Sequence, residues 1–550
     1  MLDQTTESLP LVQNRNDWWK GAVIYQIYPR SFQDTDGDGI GDLNGILNRL
    51  PYVRSLGVDA IWISPFFRSP MHDFGYDVSD YRDVDPLFGS LEIFDELVRR
   101  AHSLGLKVLI DLVFSHTSDC HPWFVQSRSS RNNPKADWYV WADPNPDGTP
   151  PNNWLSVFGG TAWEWETGRG QYFLHNFLAT QPDLNFHNAE VREELLDVMR
   201  FWLRRGVDGF RLDTVNFYFC DAELRSNPAL PDNERSDDIA PKVNPYNFQR
   251  HIYDKNRPEN LGFLRAMRGV LDGFGGRLAM GEVGDAQRGL EIMSEYTSGD
   301  GLLHSCYAFD LLSGDRISAE RVAAIMHRFN VMAADSWATW AFSNHDVVRH
   351  ATRWGLSEAA QKTVLTLLIC LRGSVCLFQG EELGLTEAQL NREELRDPYG
   401  IRFWPRFRGR DGCRTPMVWD ASAENGGFSD VKPWLPVPEG HRRSAVTAQD
   451  SNSDSILAHY RKAIQLRRDW PVLKTGGLLE LRAEGPILSF HRGAADSRLY
   501  CAFNLGDEEK EVSMPDGNWS VLFGTGNRPS GGALRLEGWS CVIAGEEIGG

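Results

Sequence analysis

The stretch "VDGFRLDTVNF", residues 207–217, begins as an apolar run and ends on charge. Arg211 and Asp213 are separated by one residue, so in a strand they project to the same face. Charged groups at the end of an apolar strand are costly unless they are paired or used. Seven other stretches share the strand-like pattern: "AVIYQIYPRSF" (22–32), "VDAIWISPF" (58–66), "LKVLIDLVFSH" (106–116), "RLAMGEVG" (277–284), "SCYAFDLL" (305–312), "WATWAFSNHD" (337–346) and "SVCLFQGEELG" (374–384). Several also end on charge: Asp111 and His116, Glu282, and His345 with Asp346.

Helical patterns fall between most of these strands. "GILNRLPYVRSLG" and "LEIFDELVRRAHSLG" each close on a glycine, a common helix stop, and "SILAHYRKAIQLRRDW" follows the eighth strand. Eight β-then-α units predict an α/β fold, a (β/α)8 barrel, with a doubly wound open sheet as the competitor. The count of eight and the polar strand ends favour the barrel. Its segments would be 1–116 and 189–471. Three insertions interrupt it: 117–188, rich in Trp, Asn, Pro and Gly; 218 to about 260; and 385–450. All follow strands, and so fall on the face where such barrels carry their sites. From 472 to 550 the pattern changes to short strands and turns, such as "ILSFHRG" and "RLYCAFNL", which predicts a C-terminal antiparallel β-sandwich.

Composition narrows the function. The chain has 550 residues, 41% hydrophobic and 24% charged, which is ordinary for a folded protein. A net charge of −18 speaks against nucleic acid or an anionic membrane as partner, since both need a basic face. Nineteen Trp suit either a large aromatic core or a surface for sugar-like rings. The first twenty residues show no basic and apolar signal pattern, and "TVLTLLICL" (363–371) is far shorter than the roughly 20 residues of a membrane span. Eight scattered Cys without a CxxC pair read as reduced thiols, so a cytoplasmic location is expected.

Three carboxylates on three strands, with an arginine and two histidines, look catalytic rather than structural. A pair of carboxylates is the equipment for glycosidic bond cleavage, one ionised and one protonated. Arg211 beside Asp213 is expected to keep that aspartate ionised. Glu282, with no cation adjacent in sequence, is expected to keep its proton and act as the acid.

The motifs "AVIYQIYPRSF", "DFGYDVSDY", "DLVFSHTS", "QPDLNF", "GFRLD", "GE" and "SNHD" occur in one order along nearly the whole chain. On them the sequence resembles the α-amylase superfamily, glycoside hydrolase family 13, and most closely its branch of bacterial α-glucosidases and oligo-1,6-glucosidases. The resemblance implies a retaining double displacement, with Asp213 as nucleophile, Glu282 as acid and then base, and Asp346 stabilising the transition state. It implies that Asp73, Tyr76, His116, Arg211, His345 and Arg414 grip the sugar at the cleaved end, with Phe158, Phe177 and Gln181 walling the pocket. Thr214, directly after the nucleophile, stands where oligo-1,6-glucosidases typically carry Val, which leans towards α-1,4 links. The 218–260 insertion would cap the pocket and favour short substrates and exo attack. A transglucosylase and a sucrose-specific or isomerising relative remain open. A non-catalytic member, like the amino-acid transporter heavy chains, would need a missing carboxylate and a membrane span. The substrate expected is a small α-glucoside, with no organic cofactor, acting as monomer or homodimer.

"DTDGDGIGD", residues 34–42, alternates aspartate with other residues. It begins like a calcium-sensing loop, but the twelfth position is Gly45 rather than a bidentate Glu, and a strand precedes it rather than a helix. In the branch that the sequence resembles, the loop after the first strand holds a Ca²⁺ or Mg²⁺ ion. That implies Asp34, Asp36, Asp38, Asp42 and the Ile40 carbonyl as ligands of a structural ion. A solvated acidic turn is the alternative.

Overall fold

The computed structural model describes residues 17–332, 335–494, 497–524 and 533–546. The expectation of no signal segment falls largely on residues 1–16, outside the described residues. Eight parallel strands form one sheet: β1 (Val23–Ile27), β2 (Ala60–Ile63), β3 (Lys107–Leu112), β4 (Gly209–Leu212), β5 (Leu278–Val283), β6 (Ser305–Ala308), β7 (Thr339–Trp340) and β8 (Ser374–Phe378). Their spatial order is β6-β5-β4-β3-β2-β1-β8-β7. A parallel bridge between Cys306 and Ala338 joins the two edges, which closes the sheet and excludes the open doubly wound alternative.

The strands are buried on both faces, because side chains alternate between the barrel interior and the helices outside. Ile24, Ala60, Trp62, Leu109, Leu278, Met280, Tyr307 and Cys376 pack together inside. Their neighbours Val23, Ile61, Val108, Phe210, Ala279 and Val375 join the larger core with the helices. Two residues beyond Leu109 is Asp111, and two beyond Met280 is Glu282. The same alternation that fills the barrel with apolar side chains thus aims the polar strand ends at one mouth.

The helices start and stop where local chemistry directs. Asp42 caps Leu43–Ser55 by accepting from the Gly45 amide at 2.7 Å, and Ser90 caps Leu91–Ser103. Gly57 and Gly105 follow with φ of 90° and 74°, a conformation that favours glycine. Strand ends depart from the sequence pattern. The run 337–346 gives only Thr339–Trp340 as strand, because Ser343–Asp346 turn inward at the mouth.

The first insertion holds a helix, Pro122–Ser129, and a three-stranded antiparallel sheet of Trp141–Ala142, Gln171–Leu174 and Trp163–Glu166. A short pairing of Phe67–Arg68 with Asp80–Val84 follows β2, too brief to leave a sequence pattern. The C-terminal part is a five-stranded antiparallel sheet, in the order Gly477–Glu484, Ile487–Ala494, Ser497–Asn504, Ser540–Glu546 and Trp519–Gly524. Lys510–Ser513 pairs separately with Ala533–Leu536. This sheet begins at Gly477 rather than 472, since Pro471–Thr475 is still helical. Its first strand is mostly exposed, so it lacks the apolar signal that marks the others. Among the described residues, no helix is long and apolar enough to cross a membrane.

Candidate active site

A cavity of about 680 Å³ opens at the mouth of the barrel. Asp73, Tyr76, His116, Asp213, Thr214, Glu282 and Asp346 line its inner part. All three insertions reach it: Phe158 and Phe177 from the first, Asp237–Lys242 from the second, and Tyr399, Arg406, Phe407 and Arg410 from the third. Its aromatic walls are Phe and Tyr. Among the described residues no tryptophan lines it, and Trp62, Trp154, Trp163, Trp202 and Trp340 are fully buried, so much of the tryptophan enrichment serves the core.

Arg211 organises the floor. Its Nη1 meets Asp111 at 2.8 Å and Asp213 at 2.5 Å, and its Nη2 meets Glu282 at 2.7 Å. Glu282, with no cation adjacent in sequence, meets one in space: β4 and β5 are neighbours, and one guanidinium spans both carboxylates. Arg211 does pull Asp213 down, as expected, but burial outweighs it. Burial pushes Asp213 up to about 7 against the pull of Arg211, which is shared with Asp111 and Glu282. Burial raises Glu282 to about 7, and Asp111 to about 6. The charge on Asp213 raises Glu282 further, and carboxyls that share one guanidinium titrate together rather than singly.

The opposite wall is a second ion network. Arg410 meets Asp73 at 2.7 Å, Asp397 at 2.8 Å and Asp346 at 3.2 Å, and Arg414 meets Asp346 at 2.9 Å. Burial would raise Asp346, but His345, Arg410 and Arg414 hold it well below the usual carboxylate range. Burial also drives His345 well below its ordinary value, leaving it neutral, so the two arginines carry that effect. The His345 ring is fixed by Gln26 on Nδ1 at 2.7 Å and by the Tyr76 hydroxyl on Nε2. Tyr76 and Trp62 both donate to Asp111, at 3.1 and 3.2 Å.

Thr214 has φ 41° and ψ 46°, a left-handed conformation that is strained for a β-branched residue. Its amide donates to Glu282 Oε2 at 3.0 Å, while its hydroxyl lies 3.0 Å from Ser115 Oγ and 3.2 Å from Asp213 Oδ2. The strain thus links the nucleophile candidate, the acid candidate and the cavity wall through one residue.

Of the expected sugar contacts, Asp73, Tyr76, His116, Phe158, Phe177 and Thr214 line the cavity. Arg211, Gln181, His345 and Arg414 lie wholly buried behind it and hold the lining groups. Gln181, for instance, donates to Asp73 at 3.2 Å. Sequence reading missed Arg410, Asp397 and Tyr307. Arg410 and Asp397 lie in a segment with several arginines and no periodicity, and only the fold selects among them. Tyr307 lies inside the apolar run of β6, where nothing in the sequence sets it apart from a core aromatic.

At the acidic loop, carboxylate oxygens of Asp34, Asp36 and Asp42 lie within 4.8 Å of one another. Asp38 stands outside that group, and its carboxylate accepts from the Ile40 amide at 2.7 Å. Burial would raise Asp34, but bonds from Ser429, Gly37, Gly39 and Asp36 keep it lowered and ionised. An all-oxygen carboxylate cluster of this kind fits a hard divalent ion.

The comparisons agree with this architecture. Residues 26–476 match the α-amylase catalytic domain, and 476–543 match a domain of unknown function, DUF3459. A probable α-glucosidase of Rhizobium meliloti is 59% identical over 529 residues, 96% of each chain. An oligo-1,6-glucosidase of Heyndrickxia coagulans is 38% identical, covering 92% of this chain and 96% of its own. The crystal structure of an α-glucosyl transfer enzyme, XgtA, superimposes with a TM-score of 0.93 at 52% identity, over 96% of this chain and 99% of that one. With the closed barrel, the carboxylates at its mouth and a family match across most of its length, the chain belongs to the α-amylase family of glycoside hydrolases.

Proposed function

We propose that this protein is a retaining, exo-acting α-glucosidase that releases glucose from the end of short α-glucosides, with a lean to α-1,4 links. The observation that carries the reading is the pairing of Asp213 and Glu282 on one guanidinium at the floor of a cavity walled by Asp73, Arg410 and Asp346. Both carboxylates reach one guanidinium, an arrangement that is compatible with direct attack by Asp213. Asp213 attacks the sugar carbon while Glu282 gives its proton to the leaving oxygen. Glu282 then takes a proton from the water that releases glucose. Asp346, kept ionised, stabilises the positive charge that develops on the sugar. The buried Asp73–Arg410 pair in the cavity lining offers polar groups for a terminal sugar, which supports exo attack on a chain terminus. Asp237–Lys242 of the second insertion line the cavity, which supports short substrates.

Ile239, Pro241, Phe309, Leu312, Val347 and Val348 give the cavity lining an apolar patch beside the charged Asp237, Asp238, Lys242, Asp315 and Arg406. That patch favours a sugar face or an alcohol over bulk water, so transfer to an acceptor is the second reading. A structural Ca²⁺ or Mg²⁺ would be held by Asp34, Asp36 and Asp42. It would neutralise their charge and fix the loop that caps the first barrel helix.

Initial rates on maltose, isomaltose, sucrose, trehalose and soluble starch, with every product chromatographed, test the reading. Fast glucose release from maltose and little from isomaltose or starch is the expected result. Preference for isomaltose overturns the linkage assignment. New sugars in place of glucose, growing with maltose concentration, favour transfer.

A further inference from the structure

The two oxygens of Glu282 have unlike surroundings. Oε2 accepts from the Thr214 amide at 3.0 Å and from Arg211 Nη2 at 2.7 Å. Both groups only donate, so a proton on Oε2 would face two others. The proton of the neutral acid belongs on Oε1. There the Tyr307 hydroxyl stands 3.1 Å away.

The direction of that hydroxyl is set by its own neighbours. Tyr307 Oη lies 3.3 Å from Arg211 Nη2 and 3.4 Å from Asn344 Nδ2. The Asn344 amide is oriented by its oxygen, which accepts from the amides of Asp346 at 2.8 Å and Val347 at 3.0 Å. Its NH₂ group is therefore the end that faces the tyrosine. With two donors on its lone pairs, the hydroxyl hydrogen is left to point at Glu282 Oε1. The ring is held by Trp62 at 6.1 Å, edge to face, and by Phe309 at 6.2 Å, stacked. Tyr307 is buried and does not line the cavity, so it acts through Glu282 and not on the sugar.

We propose that Tyr307 is a positioning residue for the proton of Glu282, its hydroxyl locked as a donor to Oε1 so that the carboxyl carries and delivers its proton from that oxygen in one direction. The proposal rests on the reading of Glu282 as acid and base. In the first step the Oε1 proton passes to the leaving oxygen, as the bond from that oxygen to the sugar carbon breaks and Asp213 bonds to the carbon. In the second step water bonds to the carbon, Asp213 leaves, and the proton of water returns to Oε1. Tyr307 keeps its own proton throughout, bonded to one lone pair of Oε1 while the other serves the reaction.

The charged groups facing Glu282 are Arg211 and Asp213 from β4, Asp111 from β3 and Asp346 beyond β7. The carboxylates among them favour the protonated acid. A hydrogen bond to the ionised form favours the base. Tyr307 thus offsets the carboxylates and lets one group serve both steps.

Tyr307→Phe keeps the ring and removes only the donor. The alkaline limb of kcat/KM should move up by about one pH unit. At its optimum, kcat/KM for maltose should fall about tenfold, and for a nitrophenyl α-glucoside, which needs little acid help, less than about threefold. Site-specific monofluorotyrosine at position 307, a stronger donor of similar size, should move the limb down, and it decides alone if the Phe variant does not fold. An unmoved limb, or equal losses on the two substrates, overturns the proposal. Glu282→Gln measured alongside separates the two ideas. Equal loss there on both substrates overturns the acid–base reading itself. A large loss on maltose with a small one on the aryl glucoside, without the Tyr307 effects, overturns only the role of Tyr307.

Discussion

Two groups of buried arginines sit in this molecule, and they are used in opposite ways. At the barrel mouth, Arg211, Arg410 and Arg414 meet Asp111, Asp213, Glu282, Asp73, Asp397 and Asp346. At the junction of the barrel with the C-terminal sheet, Arg467 and Arg492 are fully buried and form no ion pair among the described residues. Arg467 donates to the carbonyls of Gly21, Ile369 and Gly373, and Arg492 to those of Cys370, Leu371 and Gly476. Together they satisfy the free carbonyls where the helix Glu358–Cys370 ends, and they complement its dipole. Burial lowers Arg467 to about 9 and Arg492 to about 10, and no carboxylate among the described residues pairs with either to offset it. At the mouth the carboxylates outnumber the arginines, and burial, aided by the neighbouring carboxylates, raises Asp213 and Glu282. One junction uses its charge for cohesion. The other carries an imbalance that reacting groups need.

The largest test of this contrast is Asp213→Asn. Activity should fall about 10⁴-fold or more, while stability holds or rises. The sign follows from linkage. The folded pKa of Asp213, raised to about 7, lies above that of the unfolded chain, so the folded protein binds the proton more tightly. Its stability is greatest below about 4 and is lost as pH rises from there through about 7. The carboxamide has no such loss, so its melting-temperature advantage should grow from pH 5 to pH 7.5. A lower melting temperature across that range would show that the carboxylate is a structural partner of Arg211.

Arg467→Leu should do the reverse. It strands several buried carbonyls and should cost about 3 kcal/mol, read as a melting temperature several degrees lower. Specific activity of the folded protein should be unchanged, and a loss of activity with no loss of stability would break the division between the two groups.

The pH profile sharpens the comparison next. With Asp213 and Glu282 both near 7, kcat/KM on maltose should be bell-shaped. It should fall at high pH as the acid loses its proton, and at low pH as the nucleophile gains one. A profile flat from pH 5 to 9 would remove the coupled titration. The smallest effect is expected at the acidic loop. Asp36→Ala should lower the melting temperature in Ca²⁺ or Mg²⁺ and leave it unchanged in chelator, with turnover intact. Equal melting in both conditions, for the parent and the variant, would reject the ion.

The barrel was legible because its strands are apolar runs with charge at one end, repeated eight times with helical patterns between. The exposed strand Gly477–Glu484 was not, since a strand that buries little carries little pattern. Asp213, Glu282 and Asp346 stood out because a carboxylate ending a buried strand calls for an explanation. Arg410 did not, because its sequence neighbours Arg402, Arg406 and Arg408 look alike until the chain folds.

The sequence by itself determined the barrel, the family and the three carboxylates, because strand periodicity and motif order are local properties of the chain. The tertiary structure alone decided which cation each carboxylate meets, that Arg211 serves three of them at once, and that Tyr307 is turned towards Glu282. Those facts depend on which strands are neighbours and on how many buried charges share one guanidinium. No spacing along the chain encodes either.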